Sequence, residues 1–198
     1  MWYVFYTCFI FLSSHFVDMS PYSRLLGLVH HRWTIPLISE LHQRRGDRFA
    51  ALANRLGISR DTLSKTLQDM IKAGWVRHNP GYGHPLRPEY ILTVKGQAIA
   101  PACTELMKLL TRRGVDDLAL RKWSLPVVAA IADGHTRFAE LKSVLPGVTP
   151  RALALALKDV EECGFVERTV VDEFPPTTRY KLTSLGRKTA GIVQRLDL

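Results

Sequence analysis

Arg60, Ser64, Lys65 and Gln68 recur at intervals that place them on one side of an α-helix, and all four end in hydrogen-bond donors. Side chains of these types bind base edges in a major groove and phosphate oxygens beside it. Leu63, Leu67, Met70 and Ile71 fall on the opposite side at helical spacing, so that face is apolar. Ser59 stands where an N-cap belongs, with Thr62 in the first turn, both also expected to touch DNA, and Gly74 stands where the helix should stop. Enzyme chemistry finds no comparable footing. No nucleophile–base pair, phosphate-cradling glycine loop or metal-ligand spacing appears, and neither a cofactor nor a metal is expected.

The elements around this stretch are those of a device for presenting it. A short helix, Phe49 to Leu56, precedes it across a Gly-Ile turn, which makes a helix-turn-helix with the reading helix second. Residues 22–31 and 33–44 supply apolar stripes for two helices or one bent one, with Pro36 near a helix start where a missing N–H costs least. After Val76 come β-forming residues flanking a Pro- and Gly-rich tip from Pro80 to Pro88, a hairpin in the place of a wing. Arg77, His84 and Arg87 would carry its anion contacts. Thr93 then caps a long helix running to about Leu110.

The same order recurs. Arg32-Trp33-Thr34 is matched by Lys122-Trp123-Ser124 at an offset of 90 residues. The offset falls to 89 at Phe49/Phe138 and Leu52/Leu141, then returns to 90 at Ile58/Val148. It holds through Leu63/Leu153, Gly74/Gly164, Tyr90/Tyr180, Thr93/Thr183 and Gly96/Gly186. Register kept over so many apolar and glycine positions marks an internal duplication. The expected fold is mainly α with small β-hairpin wings (α+β), as two winged helix-turn-helix domains in tandem. They span 22–112 and 113–198, after a non-domain leader over 1–21.

The leader stands apart: its first 18 residues are rich in aromatics and hold no Lys or Arg. A signal peptide wants a positive start, and this apolar run is short for a bilayer. The reading adopted is a start codon assigned too early, with translation from Met19; a partner-packing helix comes second and a membrane anchor third.

Bulk composition agrees with a nucleic-acid partner. The 198 residues are 46% hydrophobic and 23% charged, ordinary for a soluble globular protein, yet carry a net charge of +9. Residues 19–110 hold 13 Lys and Arg against 6 Asp and Glu, whereas residues 111–198 hold 14 against 11. The first half is the more attractive to phosphate. Three cysteines without paired spacing fit a reducing cytoplasm, and a nucleoid-associated location with no membrane partner is expected. Trp33, Trp123, Tyr90 and Tyr180 read as packing residues, and Cys163 as a buried, inert thiol.

The repeated pattern resembles the HxlR-type winged-helix transcriptional regulators. The resemblance rests on [Lys/Arg]-Trp-[Thr/Ser], Arg-Phe-x-x-Leu, Gly-[Trp/Phe]-Val and Tyr-x-Leu-Thr-x-x-Gly. The second copy matches more closely, and the two together cover nearly everything from about residue 24 to 195. It implies sequence-specific binding of double-stranded DNA and transcription regulation. It also implies dimerisation through terminal helices, so that a homodimer through the flanking helices is a further expectation; it names no effector. Members usually have one unit, and this chain has two. They also carry a cysteine just before the first helix; this chain lacks it unless Cys8 or Cys103 substitutes, and Cys103 on the post-wing helix is the candidate redox residue.

The two copies differ where reading would occur. Ser64, Lys65 and Thr66 face Ala154, Leu155 and Ala156 in the alignment of the copies, and leucine offers no hydrogen bond to a base. Arg151, Lys158 and Arg179 remain available to hold phosphates in the second copy. The first unit is therefore expected to be the main base reader. Two alternatives stay open: both units read DNA with different codes, or the chain is a protein-interaction or ligand-sensing module with little sequence-specific binding.

Overall fold

The computed structural model describes residues 22–79, 89–171 and 176–196. The leader, the first wing's tip with His84 and Arg87, and the second wing's tip lie outside these residues.

The first unit runs α1 (Ser23–Leu28), α2 (Thr34–Arg44), α3 (Phe49–Leu56), α4 (Arg60–Lys72), β1 (Val76–His78), β2 (Tyr90–Leu92) and α5 (Val94–Arg113). The second repeats this as α6 (Asp116–Ala119), α7 (Ser124–Ala132), α8 (Phe138–Val144), α9 (Pro150–Glu162), β3 (Val166–Val171), β4 (Thr177–Leu182) and α10 (Ser184–Gln194). The fold is thus mainly helical with two antiparallel hairpins. Residues 22–31 and 33–44 form two separate helices, parted by a turn at His30–Trp33.

Local chemistry sets the boundaries of the second helix-turn-helix member in each unit. α3 ends at Gly57, whose φ of +61° is a left-handed conformation that glycine adopts without a Cβ penalty. Ile58 is buried in the turn, and the Ser59 hydroxyl caps α4 by accepting from the Thr62 amide at 3.2 Å. Val148 and Thr149 do the same for α9, the Thr149 hydroxyl accepting from the Ala152 amide at 3.2 Å. Leu63, Leu67 and Met70 on α4, like Leu153, Leu157 and Val160 on α9, are buried. Each such side chain contributes roughly 1.5–3 kcal/mol on leaving water.

Each hairpin is locked to the helix that follows it. Val76 pairs with Leu92 and Val166 with Leu182, the same register 90 residues on. The Thr93 hydroxyl donates to the Gly74 carbonyl at 2.5 Å and accepts from the Gly96 amide at 3.2 Å. Thr183 makes the equivalent bonds to Gly164 and Gly186, at 2.7 and 3.0 Å. Gly96 and Gly186 are glycine because a Cβ at either would overlap a backbone carbonyl, Trp75's in one unit and Phe165's in the other.

The units share one continuous core, with α5 packed on α2 and against α10. Polar contacts among the described residues cross between them. The Tyr22 hydroxyl donates to the Asp133 carboxylate at 2.8 Å, Arg32 pairs with Asp117, and Arg195 Nη2 lies 2.6 Å from Glu105 Oε2. Among the described residues, no helix is long and apolar enough to cross a membrane.

Candidate nucleic-acid interface

The exposed face of α4 carries Arg60, Lys65 and Gln68 in solvent, with Ser64 partly covered beside them. Because the helix repeats every 3.6 residues, Arg60, Ser64 and Gln68 form one row and Lys65 extends it sideways. Ser59 and Thr62, the other two expected DNA contacts on this helix, stand at its start, with their hydroxyls 2.8 Å apart and the Ser59 hydroxyl accepting from the Thr62 amide at 3.2 Å. Thr66 is turned inward, its hydroxyl donating to the Thr62 carbonyl at 2.8 Å. Arg77 is exposed on β1, one strand away from the helix.

α9 has the same shape and a different surface. Ala154 and Leu155 are exposed there, Leu155 at 52%, while Ala156 is buried. Arg151 is exposed at the first turn, and Lys158 is exposed with its ammonium 3.6 Å from Glu162. Arg179 is partly buried on β4, where its residue bridges Arg137 through the backbone. The second hairpin is six residues a side against three in the first, and presents Arg168 and Lys181 to solvent. Sequence reasoning passed over those two cations.

The backs of α4 and α9 are tethered at matching positions, by a hydrogen bond in the first unit and an ion pair in the second. His31 Nε2 lies 2.8 Å from Asp69 Oδ2, and Arg121 Nη1 lies 2.7 Å from Asp159 Oδ1. The hydrogen bond from His31, helped by Lys72 at 3.4 Å, holds the Asp69 carboxyl below the usual carboxylate range. These tethers join α4 to the turn before α2, and α9 to the turn before α7. The start of α3 is fixed by the Glu89 carboxylate, which accepts from the Phe49 amide at 3.0 Å. Glu140 does this for α8, accepting from the Thr136 and Arg137 amides at 2.8 and 3.0 Å. Those bonds keep the Glu140 carboxyl below its ordinary range.

Cys103 is fully buried on α5, and burial pushes its thiol up to about 12. A protonated thiol shielded from water is a poor nucleophile. Cys163 is buried likewise and pushed up to about 11, chiefly by burial. Trp33 and Trp123 pack against the core with Arg32 and Lys122 over their rings, at 4.9 and 5.1 Å from the centroids. Among the described residues no cluster of His, Cys, Asp and Glu could hold a metal.

Two helix-turn-helix units, each followed by a hairpin and a capped helix, define a tandem winged-helix protein. The HxlR-like helix-turn-helix family matches the chain twice, over residues 28–116 and 118–197, and the chain belongs to that family. An uncharacterised HTH-type transcriptional regulator of Synechocystis sp. is 35% identical over 96 residues, which span 48% of this chain and 71% of that protein. The uncharacterised HTH-type transcriptional regulator YtcD of Bacillus subtilis is 32% identical over 75 residues, 38% of this chain and 60% of its own length. Among solved structures, a transcriptional regulator of the MarR family from Enterococcus faecalis is 29% identical, with a TM-score of 0.39, over 47% of this chain and 79% of that one.

Proposed function

We propose that this chain is a sequence-specific double-stranded DNA-binding regulator of transcription in which the first unit is the main base reader. The observation that carries this reading is the contrast between two helices at matching places in the duplication. α4 offers Arg60, Ser64, Lys65 and Gln68 where α9 offers Pro150, Ala154, Leu155 and Lys158. Arg60 and Lys65 suit guanine, and Gln68 suits adenine. The second unit supplies phosphate contacts from Arg151, Lys158 and Arg179, which position the chain without specifying sequence. Arg77, His84 and Arg87 are the first unit's candidate contacts to the flanking backbone. Family membership and the HTH-type regulators among the relatives support the DNA partner.

Because α5 and α10 already pack on each other, one chain presents two unlike reading helices where paired one-unit chains would present two like ones. A single copy therefore suffices for an asymmetric site. The exposed Ala154 and Leu155 favour a second role for the second unit, as a surface for protein contact.

Binding of a labelled duplex across a salt series tests the reading. Phosphate contacts release counterions, so affinity should fall steeply and log-linearly with salt. A flat salt response would contradict DNA binding through these cations.

A further inference from the structure

A cavity of about 840 Å³ lies where the two units meet. Its first-unit walls come from α1, the inner side of α4 and the start of α5; its second-unit walls come from Lys122, Trp123, Pro146 and Leu196. We propose that this cavity binds a small apolar organic anion, such as an aromatic carboxylate, as an effector.

Size, lining and charge each support that ligand class. Cavities of roughly 300–1,000 Å³ with mostly apolar walls and a few placed polar groups are the usual form of small-molecule sites. Leu26, Met70, Ile99 and Leu196 give this one an apolar wall, and Trp75 and Trp123 give it two indole rings. Three cations line it, Arg24, Lys95 and Lys122, against one carboxylate, Asp69. Asp69 is already engaged by His31 at 2.8 Å and Lys72 at 3.4 Å, leaving the cavity's balance positive. Lys95 donates to the Ala73 carbonyl at 2.9 Å and lies 5.7 Å from the Trp75 ring centroid. The Lys122 ammonium lies 5.1 Å from the Trp123 ring centroid, with no carboxylate partner among the described residues. An apolar body would rest against the aliphatic and indole surfaces while its acid group meets these ammoniums.

The site also touches the reading helix. Asp69 and Met70 belong to α4, and Ala73 is its C-cap. A ligand wedged between α4 and the second unit changes how the two helices stand relative to each other, which couples it to DNA affinity. This coupling rests on the DNA-binding reading; the binding itself does not.

Calorimetric titration of the full chain with 2-naphthoate as probe, and with uncharged 2-naphthamide as its counterpart, tests the proposal. One saturable site per chain is expected for naphthoate, with naphthamide at least tenfold weaker and Lys122→Met at least fivefold weaker for naphthoate. Gly27 lines the cavity within α1, and a Cβ added there meets nothing within 4 Å. Gly27→Phe should fill the space, keep the thermal unfolding transition and abolish naphthoate binding. No saturable binding, equal binding of acid and amide, or binding that survives in a folded Gly27→Phe chain would each overturn the site. Saturating naphthoate should then shift the Kd for duplex DNA at least fivefold in the native chain and leave Gly27→Phe unaffected. A chain that binds naphthoate as described and no DNA at all would sink the DNA reading and leave the cavity assignment standing; naphthoate bound with no change in DNA affinity would overturn the coupling.

Discussion

Lys65 and Leu155 occupy the same place on α4 and α9, 90 residues apart, and both stand in solvent. An exposed leucine on a surface that would otherwise meet a groove gives up a base contact that the lysine can make. Lys65→Ala or Arg60→Ala should therefore weaken binding to a specific site by about 1–3 kcal/mol, the usual worth of a base contact. Electrophoretic mobility shifts on specific and scrambled duplexes would show the loss confined to the specific one. A loss of equal size on both would reassign these residues to phosphate.

The second unit's cations should behave in the opposite manner. Arg151→Ala and Lys158→Ala are expected to weaken binding to all sequences alike and to reduce the salt slope by about one each. Base preference that shifts on either substitution would show that the second unit reads sequence too.

Gly96 and Gly186 test the fold itself. Alanine at a helix interior position is ordinarily worth about 1 kcal/mol over glycine. Here its methyl group would press on the Trp75 or Phe165 carbonyl, so each substitution should destabilise, by about 1–3 kcal/mol as for other overpacked sites. Urea unfolding followed by circular dichroism measures this. A gain in stability would show that the hairpin does not sit against the helix as described.

How much of this could be seen in the residues alone divides along a physical line. Periodicity and capping are local, so the helix ends at Gly57 and Gly74, the Thr93 and Thr183 caps and the polar row on α4 were all legible. The duplication was legible because apolar and glycine positions repeat at a fixed interval. The tethers His31–Asp69 and Arg121–Asp159 were not, since each joins residues 38 apart on different elements. Comparing the copies supplies the missing signal: a cationic or titratable side chain faces an aspartate at the same two positions in both. The contacts between units, Tyr22 with Asp133 and Arg195 with Glu105, left no pattern in the chain. Leu155, by contrast, was legible as an outward-facing residue because its neighbours already accounted for the core face of α9.

The His31–Asp69 tether predicts a pH dependence. Its carboxyl is held below the ordinary value near 3.8, so the charged form is favoured by folding. The stabilisation is present above that value and is lost as pH falls through the lowered one. Asp69→Asn should thus lower the melting temperature at pH 7, and the gap between variant and native chain should narrow towards pH 3. An unchanged gap at the two pH values would show that the bond to His31 contributes nothing through the carboxylate's charge.

Selection of bound sites from a random duplex pool, run in parallel on the native chain, Lys65→Ala and Leu155→Ala, bears most directly on the division of labour between the units. The account predicts a motif with one well-specified half. Lys65→Ala should erase preference at one or two positions within it, and Leu155→Ala should return the native motif unchanged. A motif that changes with Leu155→Ala and survives Lys65→Ala would contradict the assignment of base reading to the first unit.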